Sequence, residues 1–166
     1  MICNKDNLMI SNEKETRKLM MEILDETCRE TQLALCDVDP ERVVHSGNLP
    51  WRVRDVIGHI GVWNGEAAQS LRAHAEGGKY HCISSEAKID EYNGSTVDER
   101  RTWTVERVWV EYKTSHDQLK SLVETMSNDD WDRDMLYPWN EEGATWRLIE
   151  VMMKHEEEHR EAILAG

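Results

Sequence analysis

An apolar repeat runs through residues 51–75, which read WRVRDVIGHIGVWNGEAAQSLRAHA. Apolar side chains recur there at intervals of three and four residues: Val53, Val56, Ile60, Trp63, Ala67 and Leu71. Because an α-helix has about 3.6 residues per turn, this spacing places them along one helix face. The pair Gly77-Gly78 follows and is typical of a helix end. We therefore predict a helix over about 51–75 that buries one long face.

Three further stretches have the same periodicity, namely residues 13–36, 96–126 and 145–164. The prolines of the chain all lie between the four stretches: Pro40, Pro50 and Pro138. No alternation of apolar and polar residues extends far enough to predict a useful strand. The pattern predicts an all-α protein, a four-helix bundle that forms a single domain over residues 1–166. Residues 1–11 are expected to be a loose N-terminal segment.

Each remaining helix has a predicted inner face. In the first helix it comprises Leu19, Ile23, Thr27 and Leu33. In the third it comprises Val105, Val108, Tyr112, Leu119, Leu122 and Met126. In the fourth it comprises Leu148, Met152, His155, His159 and Ile163. Thr96 and Glu99 form a capping-box pattern that predicts the start of the third helix, and residues 127–130 predict its end.

The charge of the chain limits its partners. It has 33 Asp and Glu against 20 Lys and Arg, a formal net charge of −13 at pH 7. This excess repels phosphate backbones and anionic lipid, so we expect neither a nucleic acid nor a membrane as a partner. The N-terminal residues lack the apolar run of a signal peptide, and mean hydropathy is −0.71. We therefore expect a cytoplasmic protein.

Three histidines on predicted inner faces suggest a metal site. His155 and His159 are four residues apart, and four residues turn a helix by about 400°, so both imidazoles leave one face one turn apart. One helix can thus give two nitrogen ligands to one metal ion, and His59 on the second helix could supply a third. Two ordinary interpretations stay open. His59 could be a satisfied core histidine, and the pair could lie on a solvated face among Glu156, Glu157, Glu158 and Glu161.

Neighbouring residues could support such a site. Ligating histidines usually donate their second ring nitrogen to a carboxylate or carbonyl, and Asp55, Glu66 and Glu156 lie close by in sequence. For Glu156 we favour an ordinary solvated carboxylate. Gly58 and Gly61 flank His59, and two glycines in a helix indicate that something beside this histidine needs room.

Residues 155–159 also match the H-E-x-x-H pattern of zinc proteases, in which Glu156 would be the general base. Those enzymes take a third ligand beyond the second histidine. After His159 only Glu161 has a ligating group, and it lies too close along the same helix. We therefore favour other chemistry for this pair.

Two motifs resemble those of a known family. Residues 51–63 resemble the second-helix signature of the DinB-like metal-dependent superfamily, and residues 155–159 resemble the ligand pair on its fourth helix. Residues 89–93, followed by a long helix, are similar to members near the ClbS/DfsB and mycothiol-dependent maleylpyruvate isomerase branches. The resemblance implies a DinB/YfiT-like four-helix bundle, and homodimers are common in the superfamily.

The resemblance also implies a divalent metal, commonly zinc or nickel, bound by His59, His155 and His159 with open positions for water. Three neutral imidazoles leave the metal charge uncompensated, and water bound in well-studied zinc sites has a pKa of about 7. We expect a metal-dependent enzyme acting on small molecules, either a hydrolase or a thiol S-transferase that uses a low-molecular-weight thiol. The alternative is a non-catalytic binding or sequestering protein whose metal is structural or adventitious.

We expect four residues to orient the ligands of such a metal or to line the pocket beside it: Asp55, Trp63, Glu66 and Asn93. Trp63 lies one turn from His59 and could line the site. The predicted connection over residues 77–95, which contains Asn93, and residues 137–139 are expected to form its mouth.

Overall fold

The computed structural model describes residues 5–45, 50–83 and 85–166. Within them the chain forms six helices: α1 (Lys5–Leu35), α2 (Val53–Ala75), α3 (Glu86–Arg100), α4 (Val105–Thr125), α5 (Asn128–Asp132) and α6 (Thr145–Ala165). Four short strands pair into two antiparallel hairpins: β1 (Val43–His45) with β2 (Trp51–Arg52), and β3 (Asp134–Leu136) with β4 (Glu142–Ala144). The four long helices α1, α2, α4 and α6 form the predicted bundle. No described helix has the length and apolar character needed to cross a lipid bilayer.

Helix α2 is the centre of the bundle. It packs against α4, α6 and α3, and every residue from 53 to 64 is buried. A Cβ added at Gly61 would lie 3.0 Å from the Tyr112 Cα, so this glycine allows the backbones of α2 and α4 to approach closely. The room that the sequence indicated beside His59 is thus occupied by α4.

Helix α1 differs from its prediction in two respects. It begins at Lys5, so residues 5–11, which we expected to be loose, are helical. The predicted inner face is wrong, since Leu19, Ile23 and Leu33 are exposed. Over residues 16–35, where burial is described, the buried residues are instead Leu24, Cys28, Thr31 and Leu35. Apolar residues occur around much of this helix, so their spacing alone does not select the face that meets α6.

The predicted third helix is two helices. Thr96 and Glu99 lie inside α3 rather than at a helix start, and Thr104 caps α4 by accepting a hydrogen bond from the Arg107 backbone N–H at 3.3 Å. Only Thr96 and Val97 of α3 are buried, so this helix has no apolar stripe that periodicity could detect. Helix α4 is consequently about 32 Å long, which is shorter than the single helix predicted over 96–126.

The connection between α4 and α6 is more ordered than predicted. Residues 127–130, which we expected to be a break, begin α5, and Ser127 Oγ accepts a hydrogen bond from the Asp130 backbone N–H at 3.1 Å. The strands that follow are three residues long, too short to show alternation. Their tight turn contains Asn140 in the left-handed region, with φ of 68°, and presents Trp139 at its tip.

Glu156 lies in the core and not on a solvated face, contrary to our expectation. Its side chain is 2% exposed and accepts a hydrogen bond from the hydroxyl of Tyr112, which is also fully buried. Burial raises the pKa of Tyr112 well above its usual value, and the nearby Glu156 reinforces the shift, so the hydroxyl stays a donor. The pair joins α6 to α4 inside the bundle.

Replacing Tyr112 with phenylalanine removes this donor and leaves a buried carboxyl group without its hydrogen bond. We expect the free energy of unfolding, measured by urea denaturation, to fall by about 1–3 kcal/mol. Tyr80→Phe is the matched control, because Glu66 would lose the Tyr80 hydroxyl but keep the Tyr92 hydroxyl at 2.6 Å. Its loss should be smaller, and equal losses in the two variants would contradict the importance of the buried pair.

Candidate metal centre

Three histidines converge between α2 and α6. His59 Nε2 lies 3.2 Å from His155 Nε2, which in turn lies 3.1 Å from His159 Nε2. One potential ligand atom from each residue lies within 4.8 Å of the other two. The structure therefore brings together the three candidate ligands, although His59 is 96 residues from His155 in sequence.

Hydrogen bonding alone does not explain this cluster. Each neutral Nε2 has either one proton or one lone pair, so His155 Nε2 has only one group to share between two close neighbours. Nitrogen ligands about 2.0–2.1 Å from one metal ion lie about 2.9–3.4 Å apart at octahedral or tetrahedral angles. The two separations that involve His155 fall in that range, so the donor set suits a divalent ion.

The histidines are held in the neutral form that a metal ion needs. Burial lowers the pKa of His59 from 6.5 to about 2, and the neighbouring His155 and His159 reinforce the shift. Burial likewise lowers the pKa of His155 to about 3 and lowers that of His159, with proximity of other histidines as the second cause. Protons therefore do not compete with a metal for these nitrogens near neutral pH.

The cluster is an open site with respect to protein ligands. Within the described ranges no fourth His, Cys, Asp or Glu joins the three histidines. Structural zinc sites are normally closed by four protein ligands, whereas sites with three leave a position for water or a substrate. The donor set thus has the composition of a reactive or ligand-binding site.

The carboxylates that could have oriented the ligands lie elsewhere. Asp55 accepts hydrogen bonds from the Arg52 backbone and guanidinium at 2.9 Å, so it caps α2. Glu66 accepts from the hydroxyls of Tyr80 and Tyr92, and Glu156 accepts from Tyr112.

The second ring nitrogens of two candidate ligands have no hydrogen-bond partner among the described residues. The Nδ1 atoms of His59 and His155 are buried and form no hydrogen bond in the described structure. Packing orients His59 instead, because its ring centroid lies 5.1 Å from that of Trp51 and 6.4 Å from that of Trp63. Trp51 begins the motif that ends at Trp63, but its spacing from His59 gave no reason to select it.

A cavity of about 220 Å³ opens beside the histidines. His59 and His155 form part of its wall, together with Trp63, Ile89, Asn93, Trp139, Val151 and Met152. The candidates Trp63 and Asn93 are both in this wall, and Ile89 and Trp139 belong to the segments expected at the mouth. Val151 and Met152 were not recognised as pocket residues, because their spacing on α6 indicates only core packing. Among the residues that the structure describes, the wall has no Lys, Arg, Asp or Glu side chain.

Known structures share this fold at low sequence identity. The mycothiol-dependent maleylpyruvate isomerase has a TM-score of 0.72 and 14% identity, over 89% of this chain and 60% of that chain. The colibactin self-resistance protein ClbS, solved with double-stranded DNA, has a TM-score of 0.72 and 14% identity over 90% of this chain and 94% of that chain.

YfiT from Bacillus subtilis, described as a probable metal-dependent hydrolase with an unusual four-helix bundle topology, has a TM-score of 0.70. It is 14% identical over 92% of this chain and 86% of that chain. At these identities the likeness shows the fold, which is the predicted four-helix bundle of the DinB/YfiT type. This chain spans only 60% of the isomerase.

Sequence similarity identifies the family more directly than structural likeness does. No curated protein matches the chain. The family model described as the DinB superfamily matches residues 12–163, a range that includes all three histidines, the whole of α2 and all but the last two residues of α6. This chain therefore belongs to the DinB superfamily.

Proposed function

We propose that His59, His155 and His159 bind one divalent metal ion, zinc or nickel, and that the chain is a metal-dependent enzyme acting on small molecules. Hydrolysis is the reaction that we favour. The observation that carries the proposal is the convergence of three imidazole nitrogens, with no fourth protein ligand among the described residues, beside a cavity that could admit a small molecule.

The residues of the site would have two roles: the histidines would hold the metal ion, and the cavity wall would keep bulk water away from the reacting groups. The bound ion would supply Lewis acidity and lower the pKa of a water or thiol that reaches it. The three imidazoles are neutral, so they leave the positive charge of the ion uncompensated. The wall formed by Trp63, Trp139 and Met152 would exclude bulk water from the reacting groups and strengthen electrostatic interactions there.

Thiol transfer is the second candidate. The same donor set could hold the sulfur of a low-molecular-weight thiol, and the apolar wall would accept a carbon-rich electrophile beside it. The isomerase with the same fold depends on mycothiol, which supports testing a thiol. ClbS was solved with DNA, but the net charge of −13 argues against a phosphate backbone as the partner of this chain.

Metal content tests the first step of the proposal. We expect about one zinc or nickel ion per untagged chain by mass spectrometry after reconstitution, and loss of that ion in His155→Ala, because two imidazoles hold a divalent ion poorly. His81→Ala is the control, since His81 is exposed and lies outside the cluster. A chain that takes up no metal would refute the proposed function and favour a non-catalytic binding protein.

Acid should destabilise the metal-free chain through these histidines. Their pKa values are lowered from 6.5, to about 2 for His59 and about 3 for His155, so below about pH 6.5 the unfolded chain binds more protons than the folded chain. Their contribution to stability is therefore complete above pH 6.5 and is lost progressively as pH falls. Each such histidine adds about 1.4 kcal/mol per pH unit to the decline.

Urea unfolding at about pH 7 and about pH 5 measures this decline. His59→Gln should reduce the slope by roughly one proton, whereas His81→Gln should leave it unchanged. A slope that is the same in wild type and His59→Gln would be inconsistent with a neutral, buried cluster.

Activity should depend on the metal and distinguish the two reactions. We expect the metal-loaded chain to hydrolyse small uncharged esters without added thiol. Removal of the metal with a chelator, or the substitution His155→Ala, should lower the rate about a hundredfold or more, and returning zinc or nickel should restore only the wild type. Turnover that appears only after cysteine or another small thiol is added would favour the transferase instead.

A further inference from the structure

The cavity wall offers a ligand very little polar contact. Ile89, Val151 and Met152 contribute aliphatic or thioether surface. The two indole rings of Trp63 and Trp139 lie with centroids 6.5 Å apart and form an aromatic side. The Trp139 indole N–H already donates to Glu141 at 3.0 Å, outside the wall. A ligand body that matches this surface is apolar.

Among the described wall residues other than the two histidines, Asn93 has the polar amide side chain. Its Oδ1 accepts the Trp63 indole N–H at 2.9 Å. An indole N–H is only a donor, so this contact fixes which end of the amide is oxygen and places the NH₂ group at the other end. No described residue accepts a hydrogen bond from that NH₂ group. Asn93, which lines the cavity, therefore has an oriented amide donor that no described residue uses.

A charged ligand has no counterpart in this wall. Its described part includes no Lys or Arg side chain, and a carboxylate or phosphate placed away from the histidines would lose its hydration without gaining an ion pair. An acceptor without charge is the group that matches a single amide donor. The carbonyl oxygen of an ester, ketone or tertiary amide meets both conditions.

We infer that the site takes small uncharged carbonyl compounds with an apolar body, and that Asn93 selects them by donating its amide N–H to the carbonyl oxygen. The inference rests on the proposed function, because it names the substrate class of the same site. Asn93 is on this account a specificity-determining residue. The Trp63 indole is its positioning partner, because it holds the amide in one orientation.

Binding of three matched probes tests this inference without turnover. They are para-fluoroacetophenone, para-fluoroethylbenzene and para-fluorobenzoate, which share shape but differ in carrying a carbonyl, no acceptor, or a charge. Affinities are measured by fluorine NMR titration of the full chain, both loaded with zinc and treated with a chelator. In the chelator-treated chain we expect benzoate to bind more weakly than the ketone.

Two substitutions of Asn93 isolate its donor. Asn93→Asp keeps an acceptor for Trp63 but lacks the NH₂ group, and Asn93→Leu removes the donor without adding charge. Both should lower the affinity for the ketone relative to the hydrocarbon by about fivefold to tenfold, the worth of one hydrogen bond. Asn128→Asp adds the same charge outside the cavity wall and should leave this ratio unchanged.

Three results would overturn the inference: an unchanged ratio in both Asn93 variants, benzoate binding as tightly as the ketone without metal, or no binding of any probe. Failure of the metal proposal is seen separately. In that case the chain takes up no zinc, while the ratio in the chelator-treated chain still reports on Asn93.

Discussion

The burial of the first half of α2 on all sides is the constraint on which the rest of the structure depends. Residues 53–64 are all buried, so His59, in the middle of this segment, lies in the core. Gly61 lets α4 approach on one side, and α6 packs on another with His155 and His159. An imidazole buried in this way is costly to protonate, and the convergence of three of them gives the site its character as a set of neutral nitrogen donors.

The sequence predicts those parts of the fold in which one face of a helix is apolar and the other is not. Every residue of the stripe predicted for α2 is buried, as are Leu148, Met152 and Ile163 of α6, so the two helices that hold the histidines could be named beforehand. The stripes did not show that α2 is buried all round over residues 53–64 or that Glu156 lies in the core. Helix α3 buries only Thr96 and Val97, so the periodicity did not predict it as a separate helix. Helix α1 is apolar around much of its circumference, so the periodicity predicted the wrong buried face. Hairpins of two or three residues leave no periodic signal at all.

The candidate carboxylates show a second limit of sequence analysis. Closeness to a histidine in sequence does not tell in which direction a side chain points. Glu156 follows His155, but successive residues on a helix differ by about 100°, so its side chain meets Tyr112 of α4. Asp55 lies one turn before His59 and is used to begin α2. Trp63 and Asn93, by contrast, reach the cavity together because α3 packs on α2, a tertiary contact that no local pattern reveals.

The cavity wall draws on two kinds of structure. The histidines, Trp63, Val151 and Met152 are on two long helices of the bundle, whereas Ile89, Asn93 and Trp139 come from α3 and a hairpin turn. The Ile83 backbone N–H donates to the Pro138 carbonyl at 2.8 Å and joins the connection before α3 to this hairpin turn. Mutations could accumulate in the outer part of the wall without disturbing the nitrogen donors on the bundle helices. Divergence of ligand preference among relatives would then proceed by exchange of connecting segments around an inherited reactive core, which makes the bundle an evolvable scaffold.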